Sequence, residues 1–292
     1  MPLVCQNLLL RATRRLEAAR IEDARANAEI LLADILGVSR TFLLTDLQKP
    51  LSAKEVKLFE KYLRAKLSGL PFEYIINKAQ FCGRMFYVDR RVLIPRGETQ
   101  ELLEAALNFA RGRAKTAQNA AKKLRVLDLC CGSACLGITW ALARAQDEVL
   151  CSDKSARALA AARKNIKNLT VGNADIKTLK SDLFSDIKGR FDIIISNPPY
   201  ICDEDMQSLS REVNFEPKLA LRGGADGLKL IKEIIENAPS YLRDGGLLAF
   251  EFGRNQAGKI VEFFNNDIWQ NAEIKKDFDD KERFVLAVKK QR

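Results

Sequence analysis

One stretch of the chain decides the fold: Leu124-Arg-Val-Leu-Asp-Leu-Cys-Cys-Gly-Ser-Ala-Cys135. The apolar run that ends at Leu129 predicts a buried strand, the small residues after it predict a tight turn, and an apolar helix from Leu136 to Arg144 follows. A strand, a small-residue turn and a helix form a nucleotide cradle, because the backbone can approach the ligand and the helix start offers free N–H groups. The residues that we expect to hold such a ligand are Cys130, Cys131, Gly132, Ser133 and Ala134.

An acidic residue follows the second predicted strand. This strand, Glu148 to Cys151, leads to Asp153, which lies 21 residues beyond Gly132. That distance is typical of the carboxylate that binds the two ribose hydroxyls of a nucleotide. Asp153 could instead be a helix cap, because aspartate is favoured at that position and a helix is predicted from Ser155 onward.

A third predicted strand ends in a similar way. The segment from Ile176 to Ser181 leads directly to Asp182 and Leu183. A carboxylate beside apolar side chains is suited to flanking an adenine ring. We therefore expect Asp182 and Leu183 to contact the bound nucleotide cofactor.

The fourth predicted strand, Phe191 to Ser196, ends in Asn197-Pro-Pro-Tyr200. An NH2 group conjugated to a carbonyl or a heteroaromatic ring is a poor nucleophile that keeps two N–H donors. The Asn197 side-chain oxygen and the Pro198 carbonyl can accept both donors, proline has no N–H to compete, and Tyr200 can stack on the planar group. We therefore expect Asn197, Pro198, Pro199 and Tyr200 to bind the acceptor, with Asn197 also beside the cofactor. A strand that ends in a plain proline turn is the alternative, and four residues alone leave it open.

The order of these elements is more informative than any one of them. A small-residue turn, an acid after strand two, an acid after strand three and Asn-Pro-Pro-Tyr after strand four resemble class I S-adenosylmethionine methyltransferases that act on amino or amide nitrogens. A nicotinamide dehydrogenase is the main competitor, but it does not need Asn197 to Tyr200, and the turn lacks a complete G-x-G-x-x-G pattern. Cys130 and Ala134 stand where glycines are usual, and a positive φ at position 130 would be strained.

The amino-acid composition excludes several kinds of catalytic site. The 292 residues carry a net charge of +10, which suits an acidic partner or simply a solvated surface, and include seven cysteines and no histidine. A zinc site and a serine–histidine pair are therefore not expected, and no metal is predicted. Without histidine we also expect no enzyme group to titrate near about pH 6.5 in the rate. The odd cysteine count indicates reduced thiols and a cytoplasmic protein, and no apolar run is long enough for a membrane span.

The remaining pattern divides the chain into three parts. Apolar spacings of three and four residues predict a helical bundle over residues 1–70. Residues 71–97 are expected to form a β-hairpin linker in which Phe72–Ile76 is extended and the turn lies near Cys82-Gly83. Alternating strands and helices over residues 98–292 predict an α/β fold with a mainly parallel sheet, closed by an antiparallel pair.

Four further stretches carry a resemblance to one family. They are Gly69-Leu-Pro-Phe-Glu-Tyr-Ile75, Phe81-Cys-Gly-Arg-Met-Phe-Tyr-Val88, Leu93-Ile-Pro-Arg-Gly-Glu-Thr99 and Phe215-Glu-Pro-Lys-Leu-Ala-Leu-Arg-Gly-Gly-Ala-Asp-Gly-Leu228. With Asn197 to Tyr200 they resemble the HemK/PrmC family of peptide chain release factor glutamine N5-methyltransferases over nearly the whole chain. The resemblance implies a Rossmann-like class I methyltransferase domain, S-adenosylmethionine as cofactor, and a helical N-terminal domain that helps dock class 1 release factors. Positions 97 and 100 depart from the family, which usually has proline and glutamate there.

Roles implied by the resemblance leave several alternatives open. It implies that the turn and Asp153 bind the cofactor and that Asn197 to Tyr200 bind the glutamine. We expect Arg96, Glu98 and Glu216 to shape the acceptor entrance, with ordinary surface pairing as the alternative. Adenine presents the same planar NH2 group, so an N6-adenine DNA or RNA methyltransferase stays open, as does a degenerate cofactor-binding module. No groove-reading module is evident in the sequence, so nucleic acid is not expected as the direct substrate, and a monomer is compatible with the pattern.

Overall fold

The computed structural model describes residues 3–113, 123–170 and 174–291. The chain divides into two compact units, the first made of Met1–Lys78 with Ser210–Phe215 and the second of Ala79–Leu209 with Glu216–Arg292. Within the described ranges, no helix is both long and apolar enough to span a membrane.

The first unit is a helical bundle. Its helices are α1 (Cys5–Ala18), α2 (Ala24–Leu36), α3 (Arg40–Thr45), α4 (Ala53–Leu67) and α5 (Phe72–Ile76). Helix α4 begins at a capping box, in which Ser52 and Glu55 satisfy each other's backbone N–H groups. Large apolar side chains from α1, α2 and α4, among them Leu8, Leu31 and Phe59, are fully buried in one core. The predicted bundle is therefore present.

Helix α5 corrects the expectation that Phe72–Ile76 is extended. Pro71 precedes the helix and Glu73 lies in its first turn, both favourable at a helix start. Phe72, Ile75 and Ile76 pack against the core of the bundle. Their spacing of three and four residues puts them on one helical face, which an extended segment could not present to the same core.

A short β-hairpin begins the second unit. Strand β1 (Ala79–Phe81) pairs antiparallel with β2 (Arg84–Phe86). Cys82 and Gly83 form the turn with φ values of 46° and 72°, the left-handed conformation that a two-residue hairpin turn requires. The predicted turn position is therefore confirmed.

The main sheet of the second unit has seven strands in the order β10-β11-β9-β6-β3-β4-β5. They are β3 (Arg125–Leu129), β4 (Glu148–Asp153), β5 (Asp175–Lys180), β6 (Phe191–Ser196), β9 (Leu242–Glu251), β10 (Trp269–Lys276) and β11 (Glu282–Lys289). Two short strands, β7 (Ile201–Cys202) and β8 (Arg222–Gly224), pair separately. Strands β5, β4, β3, β6 and β9 are parallel, and β11 and β10 add an antiparallel edge. The predicted α/β sheet and its closing antiparallel pair are confirmed.

Helices cover both faces of this sheet. They are α6 (Glu98–Arg113), α7 (Cys135–Ala143), α8 (Ala156–Leu169), α9 (Lys229–Tyr241) and α10 (Ala257–Glu262). Ile193 and Ile195 of β6 belong to the core that contains α6, α7 and α8, whereas Ile194 belongs to the core that contains α9 and α10. Alternate residues of one strand thus pack into opposite layers, which explains why β6 is buried throughout.

Candidate functional site

A cavity of about 540 Å³ opens at the carboxyl ends of β3, β4 and β6. Ligands of open α/β sheets bind at this edge. The predicted residues that line it are Arg96, Cys130, Cys131, Gly132, Ser133, Asp153, Asp182, Leu183, Asn197 and Pro199. The predicted residues that do not line it are Glu98, Ala134, Pro198, Tyr200 and Glu216.

The turn after β3 is held in a left-handed conformation. Cys130, Gly132 and Ala134 have φ values of 61°, 53° and 61°. A non-glycine residue in this conformation costs about 1–2 kcal/mol, because Cβ approaches the following carbonyl oxygen. The strain expected at position 130 is therefore present, and it recurs at Ala134. The turn keeps the shape that glycines would give it.

Asp128 is a cavity residue that the sequence reasoning missed. It is completely buried, and its Oδ2 accepts a hydrogen bond from the Gly137 N–H at 2.9 Å. Its Oδ1 is buried and, among the described residues, has no hydrogen-bond partner. Burial raises the pKa of Asp128 to about 7, because the charged form loses its hydration. An acid inside an otherwise apolar strand is the sequence signal that could have identified it.

Asp153 holds the turn to the start of α8. Its Oδ2 accepts from the Gly132 N–H at 2.9 Å and its Oδ1 from the Ser155 N–H at 2.7 Å. Ser155, not Asp153, is the residue that caps α8. Burial raises the pKa of Asp153. Each carboxylate oxygen can still accept a second hydrogen bond, so ribose hydroxyls are compatible with this arrangement.

Asp182 and Leu183 follow β5 and line the cavity from one side. The Asp182 carboxylate lies 2.6 Å from the Lys154 ammonium, and both side chains are more than half exposed. Such a pair contributes little to stability, so Asp182 is accessible to a polar ligand. Leu183 is buried and supplies an apolar wall.

Asn197 ends β6 and begins a chain of hydrogen bonds. Its Nδ2 donates to Thr99 Oγ1 at 3.1 Å, and the Thr99 hydroxyl donates to Glu251 Oε2 at 2.6 Å. The Tyr200 hydroxyl donates to Glu251 Oε1 at 3.2 Å. Burial raises the pKa of Tyr200 and raises the pKa of Glu251 to about 7. Sequence reasoning missed Thr99 and Glu251, although Thr99 ends one of the four family stretches.

Close backbone contacts hold the loop after Asn197. Gln256 Nε2 donates to the Tyr200 carbonyl at 2.9 Å. A Cβ on Gly227, whose φ is +77°, would lie 2.2 Å from the same carbonyl oxygen. A Cβ on Gly223 would lie 2.8 Å from the Pro199 carbonyl. These approaches explain two of the three glycines, Gly223 and Gly227, in the stretch that ends at Leu228.

Arg96 is held at the cavity wall by Glu216. The Glu216 carboxylate is buried and accepts hydrogen bonds from the Ile94 N–H, at 3.0 Å, and from the Arg96 guanidinium. A buried carboxylate with two such donors fixes the arginine side chain in one place. Glu98 lies at the start of α6 and is exposed.

Two family models match this chain. The PrmC N-terminal domain model matches residues 7–76, and the methyltransferase small domain model matches residues 114–213.

Curated relatives named release factor glutamine methyltransferase align with nearly the whole chain. The protein of Clostridium acetobutylicum is 33% identical over 288 residues, which are 97% of this chain and 98% of the relative. The protein of Chlorobaculum tepidum is 35% identical over 269 residues, covering 90% of both chains. The protein of Bacillus subtilis is 35% identical over 278 residues, covering 93% of both.

Solved structures share the fold at low sequence identity. A methyltransferase from Pyrococcus furiosus has a TM-score of 0.51 and 15% identity, over 83% of this chain and all of its own. The hMettl16 catalytic domain has a TM-score of 0.55 and 14% identity, over 82% of this chain and 83% of its own. These two likenesses concern the Rossmann-like fold alone.

Proposed function

This chain belongs to the release factor glutamine methyltransferase family, as its motifs predicted, and we propose that it methylates N5 of a glutamine side chain in class 1 peptide chain release factors. The glutamine proposed is that of the Gly-Gly-Gln motif, and the methyl donor is S-adenosylmethionine. One observation carries the proposal: Asn197 lies at the wall of the cavity with its Nδ2 held by Thr99. Its oxygen is left to accept an N–H group of the substrate.

Several residues of the cavity fit S-adenosylmethionine. The unpartnered, buried Oδ1 of Asp128 suits the donor's ammonium group, since an unpaired buried acceptor is costly until a donor reaches it. Asp153 and Asp182 can accept hydrogen bonds from ribose hydroxyls, and Leu183 can contact the adenine. When bound, the cofactor supplies a methyl group already activated by a sulfonium sulfur.

The acceptor side of the site, by which we mean the loop from Asn197 to Tyr200, has to align the glutamine amide. We propose that one of its N–H groups donates to Asn197 Oδ1 at the cavity wall. Donation of the other to the Pro198 carbonyl and packing of Tyr200 beside the plane stay predictions, since neither residue lines the cavity. Each neutral hydrogen bond contributes only about 0.5–1.5 kcal/mol, so alignment is their main effect. Held in this way, the nitrogen would take the activated methyl group of a bound cofactor, whose sulfur would be the leaving group. One N–H proton then leaves to water, so no side chain has to act as a base beforehand.

Adenine remains the chemical alternative, because it offers the same planar NH2 group. The names of the curated relatives favour glutamine. For location we propose the cytoplasm, where the seven cysteines, all free thiols here, would stay reduced.

A methyl-transfer assay tests the proposal. The protein is incubated with S-adenosylmethionine carrying a labelled methyl group and with full-length release factor, the same factor with its motif glutamine changed to asparagine, or duplex DNA. We expect label only on the unmodified factor, at one glutamine located by mass spectrometry. Label on adenine would contradict the proposal, and calorimetry without detectable S-adenosylmethionine binding would favour a degenerate binding module.

The variant Asn197→Ala tests the residue that carries the argument. We expect it to lose turnover while its cofactor dissociation constant, measured by calorimetry, changes by less than about threefold, since only one neutral contact is lost. Asn271→Ala, at an exposed position of β10, is the matched control and should behave as the unmodified protein. Near-normal turnover by Asn197→Ala would rule out the assigned role.

A further inference from the structure

Glu251 lies at the end of β9 with almost no exposure to solvent. Its two carboxylate oxygens are taken by two hydroxyl groups, those of Thr99 on α6 and Tyr200 after β6. Thr99 is also buried. The acid therefore joins two elements of the acceptor side without lining the cavity itself.

The Glu251 carboxylate determines the direction of the hydrogen bonds that link it, through Thr99, to Asn197. An ionised Glu251 has no proton and can only accept. The single hydroxyl proton of Thr99 is therefore used toward Glu251, and Thr99 Oγ1 can only accept from the third member, Asn197. An asparagine side chain has one donor end and one acceptor end, so its NH2 must face Thr99.

The other end of that side chain then faces away from Thr99. In the part of the chain that the structure describes, no N–H or O–H group donates to Asn197 Oδ1. A rotation by half a turn would instead present NH2 to the substrate. Two NH2 groups facing each other cannot form a hydrogen bond.

We infer that Glu251 is a positioning residue for methyl transfer, which acts through Thr99 to keep the oxygen of Asn197 directed at the acceptor amide. The inference rests on the proposed function only in taking that oxygen as the acceptor of a substrate N–H. Glu251 touches neither the cavity nor the reacting atoms.

Protonation of Glu251 would remove the fixed direction of these hydrogen bonds. With its proton on Oε2, a neutral carboxyl group can donate to Thr99, whose own buried proton then needs another acceptor, and the rotated Asn197 oxygen can supply one. The charged groups that act on the pKa of Glu251 are Arg283 on β11, which lowers it, and Glu98 at the start of α6, which raises it; Arg283 is itself bonded to Asp277.

The sign of the pH dependence follows from these groups. Burial is the largest influence and raises the pKa of Glu251 to about 7, while Thr99, Tyr200 and Arg283 oppose it. The rate should therefore fall as the pH falls through this pKa, because the protonated form no longer fixes the orientation of Asn197. A bound sulfonium cation favours the carboxylate, so the inflection lies at or below that value.

Paired variants of Thr99 test this relay, by which we mean the hydrogen bonds from Asn197 to Thr99 and from Thr99 to Glu251. Thr99→Val keeps the shape but removes the hydroxyl, and we expect kcat to fall about 100-fold at saturating cofactor, as a misplaced acceptor group would cause. Thr99→Ser keeps the hydroxyl and should stay within about threefold of the unmodified protein, since the bond to Glu251 remains possible. Equal kcat values for the valine and serine variants would overturn the inference.

The variant Glu251→Gln tests the titration. Its kcat should be lower than that of the unmodified protein and should lack the acid inflection, because glutamine does not ionise. Saturating cofactor separates this effect from Asp128, whose protonation would act on cofactor binding. An acid inflection that persists unchanged in Glu251→Gln would assign it to another group and overturn the inference.

Hydrogen exchange gives a readout that does not depend on activity. In protein labelled with 15N-asparagine, the Asn197 side-chain protons, identified by their loss in Asn197→Ala, should exchange slowly in the unmodified protein and at least tenfold faster in Thr99→Val. Thr99→Ser should keep the protection. Unprotected protons in the unmodified protein would overturn the relay even if the enzyme is active, whereas protected protons without any methyl transfer would overturn the proposed function and leave the relay standing.

Discussion

Replacing Asp128 by asparagine should stabilise the cofactor-free protein and weaken cofactor binding. The carboxylate is completely buried, its Oδ2 accepts from the Gly137 N–H, and its Oδ1 has no partner within the described ranges. A raised pKa in a carboxyl group means that the folded state favours the protonated form. The penalty for the charge is therefore complete above about pH 7 and disappears as the pH falls towards the ordinary value of 3.8.

The magnitude follows from the pKa of Asp128, which burial raises from 3.8 to about 7. Each pKa unit is worth about 1.4 kcal/mol, so the charged form costs the folded state about 4 kcal/mol at pH 8. The pKa already includes the bond to Gly137, but asparagine also buries an NH2 group in place of the unpartnered oxygen, at a cost of about 1–3 kcal/mol. We expect a net gain in the free energy of unfolding of about 1–3 kcal/mol at pH 8, and of less than about 1 kcal/mol at pH 5.

Urea unfolding of the cofactor-free protein at pH 5, 6.5 and 8 measures this gain. The two tryptophans, Trp140 and Trp269, both lie in the second unit, so their fluorescence reports on the unit that contains Asp128. Asp147→Asn is the matched control, because this equally buried carboxylate is bonded by the Leu124 N–H, the Trp140 indole and Arg144. It should lose about 1–3 kcal/mol at every pH. An Asp128→Asn protein that is no more stable at pH 8 than the unmodified one would refute the reasoning.

Two glycine-related substitutions give further expected outcomes. Cys130→Gly should change the free energy of unfolding, measured in urea, by less than about 1 kcal/mol, because the relieved strain at positive φ offsets the loss of the thiol side chain. Its control, Leu129→Ala, should lower the free energy of unfolding by about 2–5 kcal/mol, since Leu129 is buried. Gly227→Ala should lower kcat about 100-fold with little change in cofactor affinity, because its Cβ would displace the Tyr200 carbonyl. Gly258→Ala, exposed and with nothing within 4 Å of its Cβ, should keep full activity, and a similar loss there would contradict the steric argument.

Local patterns were enough to predict most of the sheet from the sequence. The ends of β3, β4 and β6 at the cavity follow short apolar runs, and the positive φ at Cys130 follows from its place in a turn that usually has glycine. The prediction that Phe72–Ile76 is extended was wrong. Five residues with four apolar side chains fit a strand or a helix, and packing on the bundle decides between the two. The Thr99–Glu251 bond could not be predicted, since it joins residues 152 positions apart.

The absence of histidine does not make the site insensitive to pH. The expectation that the rate has no enzyme-derived inflection near about pH 6.5 took ordinary carboxyl pKa values for granted. It stays a prediction, but burial raises the pKa values of Asp128 and Glu251 to about 7, which weighs against it. The two acids differ in their hydrogen bonds. Among the described residues, Asp128 has one oxygen without a donor, which can bind a cationic group of a ligand in the cavity. Both oxygens of Glu251 already accept hydrogen bonds, so Glu251 acts through Thr99. One acid therefore bears on which ligand binds, and the other on how the acceptor is oriented.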